Sequence, residues 1–111
     1  MPALDFNHPE THDILERIII NDPNVVPILF HAERQRILRS LIPYEKTIQE
    51  LGHELQLNPG TIKRHLMALT RCELVHLSRS VVNQYGIKMK YYRAIAKQFI
   101  IAIQWPQEED E

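Results

Sequence analysis

Apolar residues recur at helical spacing twice between Thr47 and Val75, in TIQELGHELQLNPGTIKRHLMALTRCELV. Ile48, Leu51 and Leu55 line one side of a first predicted helix, and Ile62, Leu66 and Leu69 line one side of a second. Leu57 anchors the turn between them, Asn58 is a good N-cap, and Pro59 falls at the first helical position, where its missing N–H costs nothing. This spacing predicts two short helices meeting at a sharp angle, the layout of a helix-turn-helix. Gly60, Thr61, Lys63 and Arg64 are left on the outside of the second helix. They are small at its tip, then polar or cationic, so the tip can approach a nucleic-acid groove closely.

Elsewhere the pattern is less regular. Residues 1–10 carry two prolines and little periodicity, and predict an N-terminal arm. Thr11 to Asn21 places Ile14, Leu15, Ile18 and Ile19 at helical spacing before the stop signal Asn21-Asp22-Pro23, so a helix is expected there; the run Ile18-Ile19-Ile20 would also suit a strand. Val26 to Leu41 reads as a second helix broken near His31, followed by the connector Ile42-Pro43-Tyr44. After Val75 the period changes to two. Ile87-Lys88-Met89-Lys90-Tyr91 alternates apolar and basic residues, Leu74 to Val82 supplies an antiparallel partner, and Asn83-Gln84-Tyr85-Gly86 makes the reversal. A hairpin directly behind a helix-turn-helix is a wing.

From Ala94 a further helix is expected, apolar around most of its circumference through Ile95, Phe99, Ile100, Ile101, Ala102, Ile103 and Trp105. Such a helix needs a second partner besides its own domain. A twofold homodimer through this segment and the Thr11 to Asn21 segment is the economical arrangement, with Leu15, Ile18, Ile19, Phe99, Ile100, Ile103 and Trp105 at the interface. The expected fold is therefore mostly α with a small β-hairpin, a winged helix-turn-helix of class α+β with extra N- and C-terminal helices for dimerisation. Its domain spans 11–105, followed by an acidic tail over 106–111.

The chain has 111 residues, 44% of them apolar, enough for one domain. Its net charge of −1 hides a strong asymmetry: residues 1–57 carry −4, residues 58–93 carry +6 and residues 94–111 carry −3. The cations gather in the second helix and the hairpin, where phosphate binding requires them. Cys72 is the only cysteine, which excludes an intrachain disulfide and a Cys-rich zinc site. With no apolar run of membrane-spanning length and no basic-then-apolar leader, a cytoplasmic location without membrane association is expected.

Arg36-Ile37-Leu38, LGHELQLNPGTIKRHLMALTRCELV and YGIKMKYYRAIAKQF together resemble the ArsR-like winged-helix transcriptional regulators, especially archaeal and bacterial members with a KYYRA segment at the end of the wing. The resemblance covers roughly residues 28–100, and TIKRHLMAL and KYYRA are its most specific parts. It implies a dimeric repressor or activator on a palindromic operator, in a family where many members release DNA on binding a metal or another inducer. Two departures stand out. The paired cysteines that metal-sensing members often carry in the first helix of the motif are absent from Leu51-Gly52-His53-Glu54, and the Asp and His ligands that others carry in the C-terminal helix are absent from Ala96 to Trp105.

The candidate DNA-binding residues are Asn58, Gly60, Thr61, Lys63 and Arg64 on the recognition helix, about 59–71, and Arg79, Asn83, Gln84, Lys88 and Lys90 on the wing, about 75–93. Thr61 suits a phosphate or a thymine methyl, Lys63 a phosphate, and Arg64 a bidentate contact with guanine. Asn58 suits a phosphate contact as well as the cap, although capping alone explains it. His8 and His12 have helical ligand spacing without an evident third ligand, so no metal or other cofactor is expected. His65 suits the inner edge of the recognition helix and Cys72 the core. One of Tyr91 and Tyr92 belongs in the core. No catalytic constellation is present, and an enzyme is not expected. The chain reads as a sequence-specific regulator of double-stranded DNA; the alternative is a winged-helix module that binds protein in a multisubunit assembly. An inducing effector is not legible.

Overall fold

The computed structural model describes residues 14–106. In chain order these form strand β1 (Leu15–Ile20), the short helix α1 (Val26–Leu29), helices α2 (Ala32–Ser40), α3 (Ile48–Leu55) and α4 (Pro59–Arg71), and strands β2 (Val75–Val82), β3 (Lys88–Ala94) and β4 (Ala96–Ile101). The winged helix-turn-helix expected from the sequence is present, with α3 and α4 as the motif and the antiparallel pair of β2 and β3 as the wing.

Local chemistry sets the helix limits. His31 is extended, and its Nδ1 accepts the Glu33 N–H at 3.3 Å, which starts α2 and divides the expected Val26 to Leu41 helix in two. Helix α3 opens with a reciprocal capping box: Thr47 Oγ1 accepts from Glu50 N at 3.1 Å, and the Glu50 carboxylate accepts from Thr47 N at 2.9 Å. It closes at Gln56, whose φ of 58° lies in the left-handed region. Two residues later Asn58 Oδ1 accepts the Gly60 N–H at 2.7 Å and α4 begins. Ile37 from α2, Leu41 at its C-cap, Leu51 from α3, and Ile62, Leu66 and Leu69 from α4 are fully buried against one another and form the centre of the core.

The two terminal elements differ from expectation. The segment read as a helix over Thr11 to Asn21 is strand β1 in its described part, and the segment read as a helix from Ala94 continues β3 and then forms strand β4. The two strands pair in parallel, with Leu15 opposite Ala96, Ile18 opposite Phe99 and Ile20 opposite Ile101. The cause is tertiary. Ile18-Ile19-Ile20 and Phe99-Ile100-Ile101 are β-branched and aromatic runs that pack well on a pleated surface, and each supplies the other's ladder partner. A strand uses apolar residues on both sides of the chain, so the all-round apolar character of 95–103 fits β structure as well as a buried helix. There are accordingly no terminal helices among the described residues. Ile18, Ile20, Phe99 and Ile101 pack on the core, whereas Leu15, Ile19 and Ile100 are exposed.

The wing is fastened at its base by the KYYRA segment. Lys46 and Tyr92 exchange backbone hydrogen bonds at 3.0 and 2.9 Å, Ala94 N donates to Leu41 O at 3.1 Å, and the buried Arg93 guanidinium donates to the carbonyls of Ile42 and Pro43 at 2.8 and 3.1 Å. The hairpin therefore leaves the helical core at a fixed place. Beside it, Lys46 Nζ meets Glu54 at 2.7 Å and Ser40 Oγ at 2.8 Å. The Lys46 hydrogen bond, helped by Ser40, holds the Glu54 carboxyl below the usual carboxylate range.

The tightest point of the motif is Gly52, where a Cβ would stand 2.9 Å from the Leu57 carbonyl oxygen. Gly52→Ala gains helix propensity of about 1 kcal/mol but forces the turn backbone away. A net loss of about 1–3 kcal/mol is expected in urea unfolding. A more stable variant would contradict this account of the turn.

Candidate nucleic-acid interface

Helix α4 has two chemically distinct sides. Ile62, His65, Leu66 and Leu69 face inward, while Gly60, Lys63, Arg64 and Arg71 are exposed and Thr61 is half-buried. Asn58 and Pro59, at the start of the helix, are exposed as well. Helix α4 contains no acidic residue, and among the described residues no carboxylate pairs with Lys63 or Arg64. The N-terminal end of α4 thus combines a small residue with two exposed cations, which suits close approach to a polyanion.

His65 fixes this helix against α2. Arg34 Nε donates to its Nδ1 at 3.2 Å, so Nε2 carries the proton and donates to Glu33 Oε1 at 3.1 Å. The His31 ring lies tilted beside it, with 4.6 Å between centroids. Burial holds the His65 pKa below its ordinary value, with His31 and Arg34 acting in the same direction and the Glu33 carboxylate opposing them. Protonation of Nδ1 would place a hydrogen where the Arg34 donor already points. Helix α4 is therefore oriented by a neutral histidine.

The wing residues named from sequence divide into two groups. Lys88 and Lys90 are exposed and line a cleft of about 260 Å³ between β3 and the first turn of α3, facing Thr47 and Gln49. Gln84 is exposed at the hairpin tip. Arg79, by contrast, pairs with Glu45 through Nε and lies over the Tyr91 ring at 4.1 Å from its centroid, and Ser78 Oγ donates to the same carboxylate. Asn83 holds the reversal: its Oδ1 accepts from the N–H groups of Tyr85 and Ile87 at 2.8 and 3.0 Å. Arg79 and Asn83 shape the wing, and Lys88, Lys90 and Gln84 are displayed by it. Sequence reading overlooked the capping box that aims α3, although Thr47-Ile48-Gln49-Glu50 carries its signature. It also overlooked Gln49, which shares the cleft with the two lysines; no local signal marked it.

Of the remaining candidates, Tyr92 is buried in the core and Tyr91 is half-buried. Cys72 is a free thiol packed against the core. The His8 and His12 pair lies outside the described residues, and among those described no three His, Cys, Asp or Glu side chains converge as metal ligands. Ile103 and Trp105 are exposed beyond β4.

The His65 arrangement has a pH consequence. The folded pKa lies below the unfolded value of about 6.5, so between the two the unfolded chain binds more protons and stability rises with pH. The contribution is fully present above the unfolded pKa and is lost as pH falls toward the folded one. Thermal melting followed from about pH 7.5 to about pH 5.5 should show a decline that is reduced in His65→Gln. An identical slope in the two proteins would refute the neutral-histidine clamp.

Comparisons with known proteins follow this geometry. Residues 32–76, from α2 through the start of β2, match the sequence profile of the bacterial regulatory proteins of the arsR family. No curated protein matches the chain. Among solved structures it is similar to the transcriptional repressor BigR from Xylella fastidiosa, at 24% identity over 64% of each chain with a TM-score of 0.53. It is also similar to the transcriptional regulator HlyU from Vibrio vulnificus CMCP6, at 25% identity over 64% of this chain and 68% of that one with a TM-score of 0.51. HlyU from Vibrio cholerae N16961 matches at 22% identity over 64% and 71%, also with a TM-score of 0.51. The similarity thus spans a little under two thirds of the BigR chain and carries the fold. The helix-turn-helix at residues 32–76 is thus similar to that of the arsR family of bacterial regulatory proteins.

Proposed function

We propose that this protein is a homodimeric, sequence-specific regulator of transcription that lays α4 in the major groove of double-stranded DNA and rests its wing on the flanking backbone. The observation that carries the reading is the outer side of α4. Thr61, Lys63 and Arg64 stand opposite the buried Ile62, Leu66 and Leu69, with no acidic residue on the helix. Arg64 suits a bidentate contact with guanine, Lys63 and Asn58 suit phosphates, and Lys88, Lys90 and Gln84 suit the adjacent backbone. The descriptions of the matched regulators support the same reading.

Dimerisation is supported by the outer face of the β1–β4 sheet. Parallel sheets are ordinarily covered on both faces, and a two-stranded sheet alone is marginal. Here Ile19 is 63% exposed beside the exposed Ile100 and Leu15, and Trp105 beyond the sheet is 89% exposed. A second copy related by a twofold axis would cover this face and set two recognition helices on an inverted repeat, with half-sites roughly 34–36 Å apart or a multiple of that. No described helix is long and apolar enough to cross a membrane, and a cytoplasmic site of action is in keeping with this role.

Replacing Lys63 and Arg64 together by Ala should abolish sequence-specific binding, at least a tenfold loss at matched salt, without lowering the melting temperature. Specific affinity retained by that variant would sink the assignment of α4. Separately, Ile19→Glu should shift the protein from dimer to monomer in sedimentation and weaken binding to a two-half-site DNA more than to a single half-site. A dimer that survives the substitution would move the interface elsewhere.

A further inference from the structure

The wing ends in an unusual surface. Val82 is 66% exposed, Tyr85 77% and Ile87 59%, three large apolar side chains clustered around a four-residue reversal. The reversal is well held. Gly86 N donates to Asn83 O at 3.0 Å, Asn83 N donates to Ile87 O at 2.9 Å, and the Asn83 side chain ties down the N–H groups of both Tyr85 and Ile87. Gly86, with φ of 80°, completes a turn followed by a left-handed residue, a common hairpin closure. Tyr85 is thus presented on a stiff support, with the exposed Ile87 beside it at the rim of the cleft that β3 forms with α3.

We propose that this tip is an apolar wedge for the minor groove, with Tyr85 as the leading side chain, Ile87 beside it, and a local kink in the duplex as the result; this rests on the DNA-binding reading above. Charge favours DNA as the occupant. No acidic residue occurs between Glu73 and Glu108, and Lys88 and Lys90 follow the tip along β3. Size favours it too. A stable protein contact takes about 800 Å² from each partner, more than a hairpin end offers. A groove about 6 Å wide and about 7.5 Å deep admits one or two side chains. The reach is sufficient: from the buried Val75 to Val82 the strand extends about 23 Å at about 3.3 Å per residue, beyond the roughly 17 Å that separates a major groove from the next minor groove at half a helical turn. Lys88 and Lys90 then meet the phosphates on the groove's rim. Wedged side chains unstack a base step, and pyrimidine–purine steps yield at least cost, so the operator flanks should favour TA or CA steps that the recognition helix does not touch.

The test uses the full chain and a duplex selected for binding, carrying end-to-end fluorescence labels and a 2-aminopurine in the flanking step. The wild-type protein should bend the duplex, by about 20–90°, and raise the 2-aminopurine signal. Tyr85→Ser with Ile87→Ser should leave melting and major-groove specificity unchanged while the bend and the signal vanish and affinity falls about tenfold, the size of a lost stacking contact. Tyr85→Phe should retain all three. A straight wild-type complex, or a serine variant that bends DNA equally well, would overturn the wedge while leaving the regulator reading intact. Bending preserved alongside lost self-association would instead assign the tip to a protein contact. Failure of the wild-type protein to select any DNA sequence would remove the regulator reading and the wedge with it.

Discussion

Everything the outer side of α4 can do depends on the burial of Ile62, Leu66 and Leu69. These side chains lock α4 onto α2 and α3 with none of their surface exposed. Truncating any one of them would cost about 2–5 kcal/mol, a large part of the stability of a domain this size. Their spacing also determines what remains outside. Once they face inward, Thr61, Lys63 and Arg64 have only solvent or a partner to face. His65 adds direction to that packing, since its two ring nitrogens are matched to one donor and one acceptor on α2.

The wing is held by a different kind of constraint. Its base is stitched to the connector 41–46 by backbone pairing and by the buried guanidinium of Arg93, and its tip is tied by Asn83. Arg79 is drawn into an ion pair with Glu45, so the cations left for a ligand are Lys88 and Lys90, on the side facing α3. Helix and wing are consequently two rigid projections from one core, which suits a duplex whose grooves and phosphates have fixed spacing.

The helix-turn-helix and the wing were legible because their signals are local. Apolar spacing, Asn58-Pro59, the period-two run Ile87 to Tyr91 and the reversal at Asn83 to Gly86 all act within a few residues. The terminal strands were not legible in the same way. Leu15 finds its partner at Ala96, across the whole helical core, and an isoleucine run carries no sign of where its ladder lies. The intramolecular partners of Arg79 and Asn83, both read as candidate DNA contacts, were hidden for a similar reason: Glu45 lies far from Arg79 in sequence, and the Asn83 side-chain bonds are visible only once the turn is closed. The exposed apolar tip had no periodic signature at all.

The central claim is that α4 reads DNA sequence from a symmetric pair. Selection of a random double-stranded oligonucleotide pool by the purified protein, at two salt concentrations and followed by sequencing, addresses it most directly. The account predicts an enriched inverted repeat that persists at the higher salt. Weak retention without enrichment that disappears as salt rises would show nonspecific attraction to phosphate alone and contradict it.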